Sequence, residues 1–257
     1  MFYFFKSYFK FLFQSTNQHG VHSPFVYSLV TKCFYDKAKH ENYSILNSYR
    51  QQLYTNNTII NVTDFGAGSR VFKSNKRVVS KIAKTAGITK KRNQILYRIT
   101  NYLNAEIMLE LGTSLGLASA ALSLGNKSGM LTTIEGCPET AHIALQQFNA
   151  FNFKNIDLKI ASIESELEHL KTQKFDLIYI DGNHQKEATL NYFETLLETI
   201  HNNSVMIFDD IHWSKSMNEA WQQIKQHPKT TITIDTFFWG FVFFRKEQEK
   251  EHFIIRV

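Results

Sequence analysis

The sequence predicts an α/β protein: a largely parallel sheet covered by helices, ending in an antiparallel hairpin and preceded by a mainly helical extension. Three observations carry this reading. After residue 105, short apolar runs alternate with segments of helical spacing, the rhythm that parallel strands with crossover helices require. Near the C-terminal end, TTITIDTF and GFVFFR are separated by a very short turn around Trp239 and Gly240, which can only make a hairpin. Finally, residues 1–104 carry 16 Lys and Arg against 3 Asp and Glu, whereas residues 105–257 carry 13 against 20. That change of sign marks a boundary near residue 104. A basic, mainly helical part (1–104) then precedes the α/β domain proper (105–257).

The first part is read as follows. MFYFFKSYFKFLFQ is aromatic, interrupted by Lys6 and Lys10, and too short to span a bilayer; no small-residue cleavage site follows it. It is expected to form an amphipathic helix docked on the protein or on a second copy in a homodimer; the alternative is a helix lying on a membrane surface with its lysines at anionic headgroups. HGVHSPFVYSLV leads from a loop into a helix with Ser23 as N-cap and Pro24 at the first helical position. His19 and His22 either make local hydrogen bonds or ligate a metal. KRVVSKIAKTAG and KKRNQILYRITNYL read as basic helices.

In the second part the strand-like runs are 106–111 (EIMLEL), 131–134 (LTTI), 156–160 (IDLKI), 175–180 (FDLIYI) and 203–208 (NSVMIF). In QKEATLNYFETLLETI, Leu190, Phe193, Leu197 and Ile200 fall on one helical face. FIIRV adds an edge strand or a packed tail. With 43% apolar residues among 257, the chain can bury a substantial core. Cys33 and Cys137 match neither a metal spacing nor a disulfide framework, which favours a reducing cytoplasm.

Two glycine turns compete for the role of ligand seat, TDFGAGSR (63–70) and LELGTSLG (109–116). A ligand carrying an adenosine ribose needs glycines after a first strand and an acid at the end of the next, to accept from the ribose hydroxyls. LELGTSLG meets both conditions: it follows EIMLEL, leads into LASAALSLG, and the next strand ends in Glu135, 25 residues after Glu110. Beyond Asp64, at the same spacing, lies KTAGITK, with neither acid nor strand. Gly112 and Gly116 are spaced GxxxG, and no Gly-Lys-Ser/Thr cradle is present. A ligand without phosphates, cationic beside Glu110, fits this seat best.

ELGTSLG, TIEG, FDLIYIDGNH and MIFDD, with the terminal hairpin, resemble the class I S-adenosylmethionine-dependent methyltransferases over about residues 105 to 245. The likeness is strongest to the small-molecule O-methyltransferases of the catechol and caffeoyl-coenzyme A type. The resemblance implies a Rossmann-like, mostly parallel seven-stranded sheet and S-adenosylmethionine as cofactor. By it, Glu110, Gly112, Thr113, Ser114 and Gly116 line the methionine end, Glu135 holds the ribose, and Ser162 lies near the adenine. Asp181 contacts the cofactor or the reacting centre.

Ligands of open α/β sheets bind beyond the carboxyl ends of the strands, where Asp181, Asp209 and Asp210 stand. Carboxylates gathered there need a compensating cation or proton. The metal-dependent members of the family hold Mg²⁺ with an Asp and an Asp-Asn pair. Here the pair is Asp-Asp, and the catalytic lysine three residues after the first Asp is His184. A histidine titrating near neutrality is a workable general base, so His184 and Asp181 are the expected catalytic residues. Asp181, Asp209 and Asp210 are the expected ligands of Mg²⁺ or Ca²⁺. Without a metal, Asp181 and Asp210 would be helix caps or cofactor contacts. His212 and Trp213 either shape the acceptor pocket or pack in the core.

The loop 63–70 is followed by Arg70, Lys73, Lys76, Arg77, Lys81 and Lys84. It is expected to act as a lid favouring an anionic small-molecule acceptor, against the plainer reading of a surface loop. Two other functions stand beside small-molecule O-methylation. One is a nucleic-acid methyltransferase using the basic half, although no Asn-Pro-Pro-Tyr motif follows the fourth strand. The other is a non-catalytic S-adenosylmethionine-binding interaction protein.

Overall fold

The computed structural model describes residues 2–63, 65, 68 and 72–257, leaving aside the side chain of Phe2. The chain opens with α1 (Phe2–Gln14), a 3₁₀ turn (Gln18–Gly20) and α2 (Pro24–Leu29), which continues into a π-helical turn over Val30–Phe34. Next come α3 (Asn42–Thr55), β1 (Ile59–Asn61), β2 (Lys76–Val78), α4 (Val79–Thr85) and α5 (Lys90–Leu103). Strand and helix then alternate through β3 (Ile107–Leu111), α6 (Leu117–Gly125), β4 (Met130–Glu135), α7 (Pro138–Ala150), β5 (Ile156–Ile160), α8 (Ile163–Leu170), β6 (Leu177–Ile180), α9 (Lys186–Leu196), β7 (Val205–Asp209) and α10 (Lys215–Gln226). Three strands finish the chain: β8 (Ile232–Asp235), β9 (Trp239–Phe243) and β10 (Glu251–Ile254).

Strands β3 to β10 form one mixed eight-stranded sheet, while β1 and β2 make a separate two-stranded ladder. Burial follows position. β6, β7, β8 and β9 are buried throughout, whereas β5 and β10 expose much of their length, as edge strands do. The eighth strand is β10, supplied by the tail that sequence left open; it pairs with β8 in parallel. Among the described residues no helix is long and apolar enough to cross a membrane.

The chain divides into two compact units, Lys37–Glu166 and Met1–Asp36 with Leu167–Val257. In the first, β4 lies between β3 and β5, all parallel. Helix α5 starts at Thr89, whose hydroxyl accepts from the Arg92 amide, and stops at Asn104 in the left-handed region. Its face of Ile95, Leu96 and Ile99 is buried. Lys76–Val78, expected to open a helix, instead forms β2, because Ile59–Asn61 offers it an antiparallel partner. Pairing across that gap overrides local propensity.

In the second unit, β6 and β7 are parallel, and the expected hairpin is present: β9 runs antiparallel to both β7 and β8. Ser23 caps α2, accepting from the Val26 amide at 3.4 Å, with Pro24 at its start. The imidazole of His19 makes a local hydrogen bond with the Gln18 amide group at 3.2 Å. Helix α1 packs on Phe237 through Phe4, Tyr8 and Phe11, with ring centroids 5.1, 4.9 and 5.5 Å away.

Candidate active site

The turn after β3 is built from unusual backbone. Gly112, Ser114 and Gly116 have φ of 98°, 48° and 76°, a conformation in which main chain can approach a ligand closely. The turn is stitched to β4. The Gly112 and Thr113 amides donate to the Ile134 carbonyl at 3.0 and 3.2 Å, and the Thr113 and Thr133 hydroxyls meet at 2.6 Å. Glu135, half-buried at the end of β4, accepts from the Ser114 amide at 2.8 Å and from the Cys137 amide at 2.9 Å. Backbone on both sides therefore orients its carboxylate.

Glu110 is fully buried. Its Oε2 accepts from the hydroxyls of Ser119 and, at 2.6 Å, Thr133, so it braces the turn from β3 toward α6 and β4. Tyr49 lies beneath: its hydroxyl donates to the Leu115 carbonyl at 2.9 Å. Burial, and then the charge of Glu110, hold its phenol well above the ordinary value. Gly116 packs against this support. A Cβ there would stand 2.4 Å from the Tyr49 oxygen and 2.5 Å from the Phe148 ring. Ser162 caps the start of α8, accepting from the Ser165 amide at 3.2 Å.

Of the loop 63–70, Asp64, Gly66, Ala67, Ser69 and Arg70 lie outside the described residues, and with them most of the expected lid. Its described members hold a contact that sequence reasoning missed. Phe65 lies against Gly136, where a Cβ would come within 2.8 Å of its ring, and the Thr63 amide points to the Cys137 sulfur at 3.4 Å. An exposed aromatic ring thus sits next to the residue that follows Glu135. The available signal was the glycine itself, since only a bare backbone lets a ring approach so closely. Of the basic flank, Lys73, Lys76, Lys81 and Lys84 are exposed, and the Arg77 guanidinium lies 5.0 Å from the Phe72 ring centroid.

The acidic cluster belongs to the other unit. Asp181 directly follows β6, Asp209 ends β7, and Asp210 turns the chain with φ of 54°. The Asp181 carboxylate accepts from the Tyr179 hydroxyl at 3.3 Å and faces His184 Nε2 at 3.4 Å. Ligand atoms of Asp181, His184 and Asp209 all lie within 4.8 Å of one another; Asp210 is not part of that set. Burial alone would lower the pKa of His184. The hydrogen bond and charge of Asp181, followed by the charges of Asp210 and Asp209, outweigh it and push the imidazole up to about 9. His184 therefore does not titrate near neutrality, as its residue type alone suggested, because it answers the charge of three carboxylates. The shift favours the imidazolium at neutral pH.

His212 is braced rather than open. One ring nitrogen meets Asp235 Oδ2 at 2.7 Å, the other the Asn218 amide nitrogen at 2.9 Å, and the ring stacks on Phe237 at 5.2 Å. Trp213 lies edge-on to Phe4 at 6.4 Å.

Residues 109–211 match the family described as a methyltransferase domain. No curated protein matches the chain. Among solved structures, a methyltransferase from Podospora anserina bound to S-adenosylhomocysteine is 13% identical, with a TM-score of 0.62; the match covers 88% of this chain and 97% of that one. An O-methyltransferase from Bacillus cereus in complex with S-adenosylhomocysteine is 16% identical at a TM-score of 0.56, covering 80% and 92%. An O-methyltransferase from Streptomyces achromogenes, in complex with S-adenosylmethionine and involved in tomaymycin synthesis, is 14% identical at 0.56, covering 81% and 91%. At these identities the likeness establishes the fold, which is that of the Rossmann-like methyltransferases.

Proposed function

We propose that this chain, whose residues 109–211 match a methyltransferase-domain family, transfers a methyl group from S-adenosylmethionine to a hydroxyl oxygen of a small-molecule acceptor. Glu135 carries the proposal. It is an oriented, half-buried carboxylate at the end of β4, held at 2.8 and 2.9 Å by two amides. An acid in that position is suited to ribose hydroxyls. The turn of Gly112, Thr113, Ser114 and Gly116 would bear the amino-acid end of the donor, with Glu110 bracing it, Ser162 toward the adenine, and Phe65 giving the adenosine an apolar neighbour beside Gly136.

When bound, S-adenosylmethionine supplies a methyl carbon made electrophilic by its sulfonium. The acceptor oxygen forms the new C–O bond as the C–S bond breaks, and S-adenosylhomocysteine leaves. The protein's contribution is to position the reactants and remove the hydroxyl proton. Asp181 and His184 are assigned that proton, His184 accepting it only in the neutral form that it reaches as pH rises through about 9. Asp181 and Asp209 offer the oxygen ligands that suit Mg²⁺ or Ca²⁺, with His184 as a nitrogen ligand beside them. A bound ion would take over the charge compensation that the imidazolium provides. The exposed lysines of the basic flank suit an anionic acceptor. No observation favours the nucleic-acid or non-catalytic alternatives.

Calorimetric titration of S-adenosylhomocysteine into the wild type and Glu135→Ala, with Mg²⁺ and with excess chelator, tests this reading. Micromolar binding by the wild type and its loss in the variant are expected. Absence of binding to the wild type in every condition would overturn the proposal.

A further inference from the structure

Helix α1 has two aromatic faces, and among the described residues only one is covered. Phe4, Tyr8 and Phe11 point to Phe237. Phe5, Phe9 and Phe13, spaced four apart and thus stacked one turn above another, are 53%, 58% and 89% exposed. Single exposed apolar residues are ordinary; a row of rings along one helical face is not. The row is also held in place. Arg256 donates to the Leu12 carbonyl at 2.8 Å and to the Ser15 hydroxyl at 3.1 Å, and Thr16 bridges to Ile255. These contacts tie the end of α1 to the strand end behind it.

The charge on α1 itself has one sign. Lys6 and Lys10 are exposed on α1, and the first acid in the chain is Asp36.

We propose that α1 is an interfacial anchor, whose Phe5–Phe9–Phe13 face and flanking Lys6 and Lys10 dock the protein on an anionic lipid surface. Thirteen residues make a rod about 20 Å long, which lies in the plane of the interface with its rings at the acyl boundary and its ammonium groups among the headgroups. A second copy is the weaker occupant. A two-fold interface built on this face would set lysine rims against each other, and α1 has no acid to answer them. Anionic headgroups complement the rim.

The test is co-flotation of the full chain with phosphatidylcholine vesicles, with or without about a third phosphatidylglycerol. The wild type is run beside Phe5→Ser/Phe9→Ser/Phe13→Ser and Lys6→Glu/Lys10→Glu. The wild type should float with the anionic vesicles and partition far less to the neutral ones. Each variant should lose about tenfold or more of that partitioning, the scale set by the apolar area and charge removed, while retaining the wild-type melting temperature. A wild type that stays with the unbound fraction on anionic vesicles overturns the proposal. So does sedimentation showing a wild-type dimer that the triple variant abolishes, which would assign the face to a second copy.

Discussion

Compensation of the acidic cluster by His184 can be measured as stability against pH. The folded-state pKa of about 9 stands above the ordinary value of 6.5. A raised pKa means that the folded protein holds the proton more tightly than the unfolded chain does. The resulting stabilisation is therefore complete below about pH 6.5 and is lost as pH rises through about 9. At about 1.36 kcal/mol per unit the shift corresponds to about 3 kcal/mol. Solvent at a side chain 27% exposed trims that to about 2 kcal/mol. The assay is urea unfolding of the wild type and His184→Gln between pH 6 and pH 10 in the presence of chelator. Titrating groups remote from the cluster cancel in the difference. His184→Gln should be about 2 kcal/mol less stable than the wild type at pH 6, and the gap should close toward pH 10. A saturating divalent cation that binds the cluster should shrink the gap at low pH, because ion and proton compete for the same carboxylates. A gap that stays constant with pH, or an imidazole resonance titrating near 6.5, would refute the reasoning.

Three further outcomes follow from contacts within each unit. Gly116→Ala places a Cβ 2.4 Å from the Tyr49 hydroxyl and 2.5 Å from Phe148 at a φ of 76°, and should cost about 3 kcal/mol by overpacking and left-handed strain together; unchanged thermal unfolding would contradict it. Phe65→Ala, which alters an exposed ring beside Gly136, should weaken S-adenosylhomocysteine binding about tenfold in calorimetry, the loss of part of one ring's burial, with no change in melting. Arg256→Ala removes the donor to Leu12 and Ser15, so amide exchange over residues 2–14 should accelerate while the central strands keep their protection; equal exchange over residues 2–14 in wild type and variant would show that the clamp contributes nothing.

Strand and helix were legible from residue 105 onward because their signals are local. EIMLEL, LTTI, IDLKI, FDLIYI and NSVMIF each carry their apolar period within a few residues, and the two-run C-terminal hairpin is set by the length of its turn. The β1–β2 ladder was not legible, because Lys76–Val78 becomes a strand only by meeting Ile59–Asn61, and no local pattern encodes that meeting. The positions of the candidate site residues were legible for the same reason as the strands, since Glu135, Asp181 and Asp209 stand at strand ends. Their states were not. A histidine three residues after an aspartate suggests a group that titrates near neutrality; burial and three carboxylates from two strand ends together push it up to about 9. Glu110 shows the same limit, since its place in β3 could be read from the chain, but not its complete burial beneath the turn. Spacing reveals which groups gather, but the sign of a pKa shift depends on how many charges reach one atom and how much water is excluded there. The shift therefore carries information that the motif lacks: a cluster needing a cation at neutral pH can be satisfied by a proton on His184 or by a bound ion. Under the proposed function, the pH at which one replaces the other is where His184 would become able to take an acceptor's proton.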